Sequence, residues 1–294
     1  MKNVKRKIGK LATKLIVIVF VMSSLQVTAA GNSNEFAIHG GGGYSFFLFR
    51  PSVTGASSSG ASGDLGVGFT GFVAPHVGLH VGVGLGIYSI NAKVDSIKAF
   101  TPNQIDANNF NFDLYTTLSG YSEAHQTFSL TVPLMLQYQT MPSQSSWGRS
   151  SGSQQGFYAM GGLKLNILLS NSYESKVSAV YNRAYYPEYD NWAATQTFAG
   201  LGNFKGRKAN GNVGYVQAML ALEAGMKWRI SNEMFIYTGA YFDYGLNDPA
   251  KNSRNETNEY NYLEPQNLDF GLLKFADKTN LMTIGLKVRL AFAR

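Results

Sequence analysis

The chain is 294 residues long and carries 25 Lys and Arg against 18 Asp and Glu, a formal charge of +7. Lys2, Lys5, Arg6, Lys7, Lys10 and Lys14 stand in the first thirty residues with no acid among them, so the remainder holds 19 against 18, or +1, and offers no electrostatic footprint for a nucleic acid. There is no cysteine, which excludes disulfides, thiolate metal sites, cysteine nucleophiles and the lipidated cysteine of a bacterial lipoprotein.

The basic opening runs into the apolar stretch LIVIVFVMSSL and then the small residues VTAAG. That order predicts a secretory signal peptide over residues 1–30, cleaved near Ala29 or Ala30. Beyond it no window approaches the roughly 18 consecutive apolar residues of a membrane helix. A barrel escapes that test, because alternate residues of each strand face inward and dilute the hydropathy.

From Phe36 onward, eight segments alternate with the period of two that marks a strand. The first, FAIHGGGGYSFFLF, turns Phe36, Ile38, Phe46 and Leu48 to one side, and the second, DLGVGFTGFVA, turns out Leu65, Val67, Phe69 and Val73. The third, VGLHVGVGLGIY, sets Val77, Leu79, Val81, Val83, Leu85 and Ile87 on one face and four glycines with His80 and Tyr88 on the other. Glycine is a poor strand former, so its repetition points to a wall enclosed where room is scarce, the inside of a narrow barrel whose greasy face meets lipid. The fourth, FSLTVPLMLQYQ, exposes Phe128, Leu130, Val132, Leu134, Leu136 and Tyr138, and the fifth, FYAMGGLKLNILL, exposes Phe157, Ala159, Leu163, Leu165 and Ile167. The sixth, YVQAMLALEAGMKWRI, exposes Val216 through Trp228 at alternate positions. The seventh, MFIYTGAYFDY, exposes Ile236, Ala240, Phe242 and Tyr244, and the eighth, NLMTIGLKVRLAFAR, alternates from Met282 to Phe292.

The connections carry a second signal. Turns near Pro75 and His76, and at Ser231, Asn232 and Glu233, are short, whereas residues 50–61, 91–125, 171–213 and 246–279 are long and polar, the rim asymmetry of an outer-membrane barrel. By parity the stretch MPSQSSWGRSSGSQQ should be a short inner turn, and it is not short. The expected fold is therefore one all-β domain over residues 31–294, a transmembrane antiparallel up-and-down barrel of eight strands, or ten if NFNFDLY around Phe110, Phe112 and Leu114 adds a hairpin to the wall.

Lys164, Glu223, Lys227, Arg229, Asp243, Lys287 and Arg289 fall at inward positions. Unpaired charge is costly away from water, so these residues should pair, with Lys164 and Glu223 the first pair expected. They form either a structural plug or the lining of a narrow gated path for small solutes, since eight strands enclose only enough room for side chains. His39 and His80 also point inward, without the carboxylate on their own strands that a metal site would want, so no metal and no cofactor is expected. Neither GGGG at 40–43 nor GVGLG at 82–86 is followed by Lys-Ser or Lys-Thr or opens a helix, which sets aside a phosphate loop. Of the histidines only His125 falls near the outer rim, with no orienting group evident, so no catalytic residues are assigned and the chain is read as a non-enzyme. Phe36, Tyr138, Phe157, Trp228 and Phe292 near the inner strand ends, and Phe128, Phe242 and Tyr244 near the outer ends, would form two aromatic girdles.

The stretches FSLTVPLMLQY, YAMGGLKLNILL, YFDYGLND and TIGLKVRLAF resemble the Bacteroidetes-type outer-membrane β-barrel family, which includes PorT-like proteins and is related in architecture to OmpA-type barrels. The resemblance implies residence in the bacterial outer membrane, outer-membrane lipid and the barrel assembly machinery as partners, no catalytic residues, and a part in supporting protein secretion. Barrels of this kind usually finish on an aromatic residue, whereas this chain ends Phe292, Ala293, Arg294. Asp95-Ser96-Ile97 is similar to the O-glycosylation triplet of that group and falls in an expected outer loop, which makes Ser96 a candidate glycan acceptor. Three roles stay open: a structural or surface-interaction protein whose loops meet an extracellular partner, a narrow pore, and a secretion component.

Overall fold

The computed structural model describes residues 34–49, 56–141, 154–205, 208–211, 216–248 and 279–293. The expected leader and its cleavage point lie outside them. The strands are β1 (Asn34–Phe49), β2 (Ser57–Ala74), β3 (Val77–Ile105), β4 (Asn111–Gln139), β5 (Gln155–Lys176), β6 (Ala179–Tyr186), β7 (Asn191–Ala193), β8 (Gly202–Lys205), β9 (Lys208–Gly211), β10 (Val216–Arg229), β11 (Met234–Gly245) and β12 (Thr279–Ala293).

Eight of these strands close a ring of antiparallel neighbours. Each of β1 to β4 pairs with the next, β5 pairs with β10, β10 with β11, β11 with β12, and β12 returns to β1 from Glu35 opposite Ala293 to Phe49 opposite Thr279. Closure removes the unpaired edges that an open sheet would present. The stretch around Phe110 and Leu114 lengthens the β3–β4 hairpin rather than adding a pair to the wall, so the ring has eight strands and not ten. The turn at 75–76, the connection 140–154, the turn at 230–233 and both ends of the ring share one rim. The long connection between the fourth and fifth predicted segments therefore does lie on the inner side, although residues 142–153 of it are outside the described residues.

The wall is inside-out compared with a soluble protein. Leu286 is 71% exposed, Leu65 63%, Leu136 58% and Leu222 46%, while Gln137, Asn166 and Lys227 in the lumen are wholly buried. An exposed apolar band that circles the molecule far exceeds the few hundred Å² that a soluble monomer leaves bare, and it suits hydrocarbon. Phe36, Tyr138, Phe157, Trp228 and Phe292 are all exposed near the inner rim. Of the outer aromatics, Phe128 is exposed and Phe242 and Tyr244 are half-buried.

The glycines make the lumen habitable for larger side chains. A Cβ on Gly66 would stand 2.8 Å from the His39 ring and 2.6 Å from the Val83 carbonyl, and one on Gly43 would stand 2.7 Å from the Tyr241 hydroxyl. Gly66→Ala is expected to cost about 1–3 kcal/mol, because the Val83 backbone cannot yield as a side chain can. Denaturant unfolding in lipid vesicles measures it.

Outside the bilayer the pattern inverts. Along β3 the outward residues change from Leu85 and Ile87 to Ser89, Asn91 and Lys93, while the inward ones change from Gly84 and Gly86 to Ile90, Ala92 and Val94. On the facing strand, outward Phe128 gives way to Gln126 at the same level, Ile87 standing opposite Phe128 and Ser89 opposite Gln126. Both strands are 29 residues long, nearly three times the roughly 9–11 that cross a bilayer.

The regions 91–125 and 171–213, expected to be loops, instead build a raised sheet. β6 continues the course of β5 after Val177 and Ser178 and pairs with β4, while β7 and β8 pair with β6 and β9 pairs with β5. Opposite the break, Gly120 takes a left-handed conformation at φ 61°, and the Ser178 hydroxyl donates to its carbonyl. The inward face of this sheet has a core of its own, including Ile97, Phe112, Leu114, Leu118, Val180 and Leu201.

Candidate functional site

Among the described residues the lumen holds four cations, Lys164, Lys227, Lys287 and Arg289, and four carboxylates, Glu35, Asp64, Glu223 and Asp243, all in ion-pair contact. Near the inner rim Lys227 lies 2.8 Å from Glu35, and Tyr237 donates to the same carboxylate at 2.6 Å. Gln139 accepts from Lys227 and from Tyr237, both at 3.1 Å. At mid-height Glu223 accepts from Arg289 at 2.6 Å and from Tyr158 at 2.9 Å, with Lys287 at 3.5 Å. Lys287 also stands 3.5 Å from Asp64, which faces His39 at 3.4 Å, and higher still Lys164 lies 2.5 Å from Asp243.

Apolar layers flank this network. Met135, Met141, Phe235 and Ala291 pack at the inner end, and Tyr88, Ile90, Met219 and Leu281, with Phe47 against them, at the outer end. Between them a cavity of about 20 Å³, lined by His39, His80, Glu223, Lys287 and Arg289 among others, has room for about one water.

Six of the seven sequence-predicted charges join the network. Arg229 does not: it sits half-buried at the inner rim, its guanidinium 5.8 Å from the Phe235 ring, with no ion pair among the described residues. The expected Lys164–Glu223 pair does not form either. Lys164 stands opposite Met219 and Glu223 opposite Met160, an offset of four residues that places them roughly 13 Å apart along the strand, so Lys164 reaches Asp243 and Glu223 reaches Arg289.

Glu35 and Asp64 were not anticipated. Both lie where the periodic pattern begins, Glu35 one residue before the first predicted segment and Asp64 at the head of the second. In the structure β2 starts seven residues earlier, which brings Asp64 into the wall. A carboxylate in register with the inward positions of its strand was the available signal.

His39 does have a carboxylate within reach, Asp64 on the next strand, and His80 Nδ1 lies 2.9 Å from the Thr70 hydroxyl. No group of three ligand-type side chains that could hold a metal occurs among the described residues. Near the outer rim His125 does have an orienting partner, Glu123 two residues before it on the same inward face. Tyr121 donates to Glu123 at 2.6 Å, and burial, then the carboxylate itself, pushes the phenol well up, so it stays protonated. The pair is only 2–3% exposed, and the rings of Phe47 and Tyr173 pack on His125.

The outward face of the raised sheet differs from the wall below it. Phe100, Tyr115 and Arg183 are successive cross-strand partners on β3, β4 and β6, and Tyr185 with Trp192 on β7 forms the next row. Ring centroids are 4.9 Å apart for Phe100 and Tyr115, 5.1 Å for Tyr115 and Trp192, and 4.9 Å for Tyr185 and Trp192. Ser96 is exposed lower on β3, in a strand rather than the expected loop.

No family model matches the chain, and no curated protein matches it by sequence. Among solved structures it is similar to the outer membrane protein OprG from Pseudomonas aeruginosa, at 12% identity over 90% of this chain and 97% of that one, with a TM-score of 0.35. It is also similar to the N-terminal β-barrel domain of Pseudomonas aeruginosa OprF, at 13% identity, 89% and 98% coverage and a TM-score of 0.29. Neisserial surface protein A matches at 10% identity, 86% and 95% coverage and a TM-score of 0.32. Likeness at this level assigns no role, and the fold stands on the strand pairing itself.

Proposed function

We propose that this chain is an exported protein of the bacterial outer membrane, non-enzymatic, whose lumen is a structural plug and whose working surface is the raised sheet. The observation that carries this reading is the contrast between the two halves. Inside the bilayer, four ion-paired cations and four carboxylates fill the lumen between apolar layers, whereas outside it the chain invests in a second core that holds β3, β4 and β6 upright. A pore would need neither the seal nor the tower.

Planar-bilayer recording of the purified protein tests the plug. No steady unitary conductance is expected, and a reproducible one would transfer the assignment to a narrow solute path. Membrane fractionation of the source cells tests the location, with the chain expected in the outer-membrane fraction and lacking residues 1–30.

Kinship with PorT-like barrels and a part in secretion form a second reading. The four resembling stretches map mainly to ring strands β4, β5, β11 and β12, so they report the wall rather than the task of the raised sheet. Co-purification with secretion machinery would favour it.

A further inference from the structure

We propose that the outward face of the raised sheet, centred on Arg183 and Trp192, is a binding site for an acidic polysaccharide, with the guanidinium reading a sugar carboxylate and the exposed rings stacking on sugar faces. This rests on the surface role argued above and names its ligand class.

Exposed apolar side chains below Ile87 are accounted for by lipid; those above it are not. Phe100 is 54% exposed and Trp192 46%, thirteen residues up β3 from the boundary in the case of Phe100, roughly 40 Å along the strand. That distance puts the face beyond the headgroups of its own bilayer. Rings that offer a bare face and an amphipathic edge are the side chains that pair with ring-shaped, partly polar ligands.

Arg183 supplies the charge. Its guanidinium lies 4.4 Å from the Trp192 ring centroid and 5.6 Å from that of Tyr115, within cation–π reach of both. The nearby acids keep their charge but are held by other donors, Asp190 accepting from the Tyr185 hydroxyl at 2.7 Å and Asp113 from the Asn103 backbone at 3.0 Å, and neither pairs with Arg183. Arg183 is exposed and no carboxylate pairs with it among the described residues, so its fork of donors, whose geometry matches a carboxylate in two parallel hydrogen bonds, is left for an incoming anion. Lys98, exposed one outward row below Phe100, adds a second positive charge.

The size of the face selects the occupant. From β3 to β7 it spans three strand spacings, roughly 14 Å, and one or two rows of side chains. A stable protein partner takes about 800 Å² on each side. A few sugar rings with carboxylates suit the narrower strip, and the unpaired fork of Arg183, rather than the net charge of the face, favours a sugar carboxylate over a neutral sugar.

The test uses the full mature chain in phospholipid nanodiscs, titrated calorimetrically with tetragalacturonate and with the neutral maltotetraose. Tetragalacturonate is expected to bind at least tenfold more tightly, and Arg183→Ala is expected to weaken it about tenfold or more, the usual scale of a lost charge-assisted contact. Trp192→Ala should weaken both sugars. If either variant fails to run as a compact barrel on an unheated gel, Arg183→Lys replaces Arg183→Ala and Trp192→Phe replaces Trp192→Ala; Arg183→Lys, keeping the charge without the fork, should still lose most of the preference. Equal binding of the two sugars, no binding of either, or tetragalacturonate binding indifferent to Arg183 would overturn the proposal. A protein that stays silent in the bilayer recording yet ignores both sugars removes the glycan and leaves the surface role standing, whereas steady conductance removes the surface role itself.

Discussion

Glu223→Leu is expected to cost the barrel about 3–5 kcal/mol of unfolding free energy, among the largest losses of any substitution in the lumen. The carboxylate accepts from Arg289 and Tyr158 and lies 3.5 Å from Lys287, so its removal leaves four lumenal cations facing three carboxylates. Arg289 would keep a hydrogen bond to Gln137, and Lys287 would keep Asp64, but neither recovers a full counter-charge. Glu223→Gln keeps an acceptor for both donors and should cost less, about 1–3 kcal/mol. Removing both partners of a pair behaves differently: Lys164→Met combined with Asp243→Leu should be nearly neutral, because the desolvation cost of both ions disappears with their attraction.

The measurement is urea unfolding in phospholipid vesicles, followed by the shift in gel mobility between folded and unfolded barrel. Its outcome bears on function as well as stability. In a lumen open to water, Arg289 and Lys287 would be solvated once freed, and Glu223→Leu would cost under about 1 kcal/mol, as exposed ion pairs do. A loss that small would argue that a solute path runs through the network and would sink the plug.

Most of the lipid-facing wall was legible in the sequence because outward residues recur at a spacing of two, as Leu134, Leu163 and Leu286 do; Val81, Leu130 and Ile167 share that spacing but are only 9%, 8% and 5% exposed, Leu130 and Ile167 standing opposite each other. Pairing was not legible. Whether Lys164 meets Glu223 or Asp243 depends on the stagger between strands, which closure of the ring sets and no single segment records. The raised sheet was missed for a related reason. A search for apolar residues facing out ends where lipid ends, at Ile87 and Phe128, and the same alternation with its faces exchanged, Ser89-Ile90-Asn91-Ala92-Lys93-Val94, reads as polar loop unless the exchange itself is taken as a boundary signal. His125 and Glu123 fell in that blind region, although their spacing of two already placed them on one face.

Leu286→Arg, near the middle of the membrane belt, should cost about 2–4 kcal/mol, and Val73→Arg, beside the inner turn, about 0–1 kcal/mol. Leu286 is 71% exposed and lies between Met282 toward the outer edge and Phe292 in the inner girdle; Val73 is 58% exposed and two residues from Pro75. The two sites thus match in exposure and differ in depth. In hydrocarbon the guanidinium at position 286 is far from either surface and cannot be hydrated without thinning the bilayer, whereas at position 73 the same side chain snorkels into the headgroups. Were this wall bathed in water, both substitutions would replace an exposed apolar group with a hydrated one, and both would fall within about 0.5 kcal/mol of the parent. Vesicle unfolding of the two variants therefore measures a gradient that only a barrel crossing a bilayer at this register can produce, and two equal small values would place the belt in water.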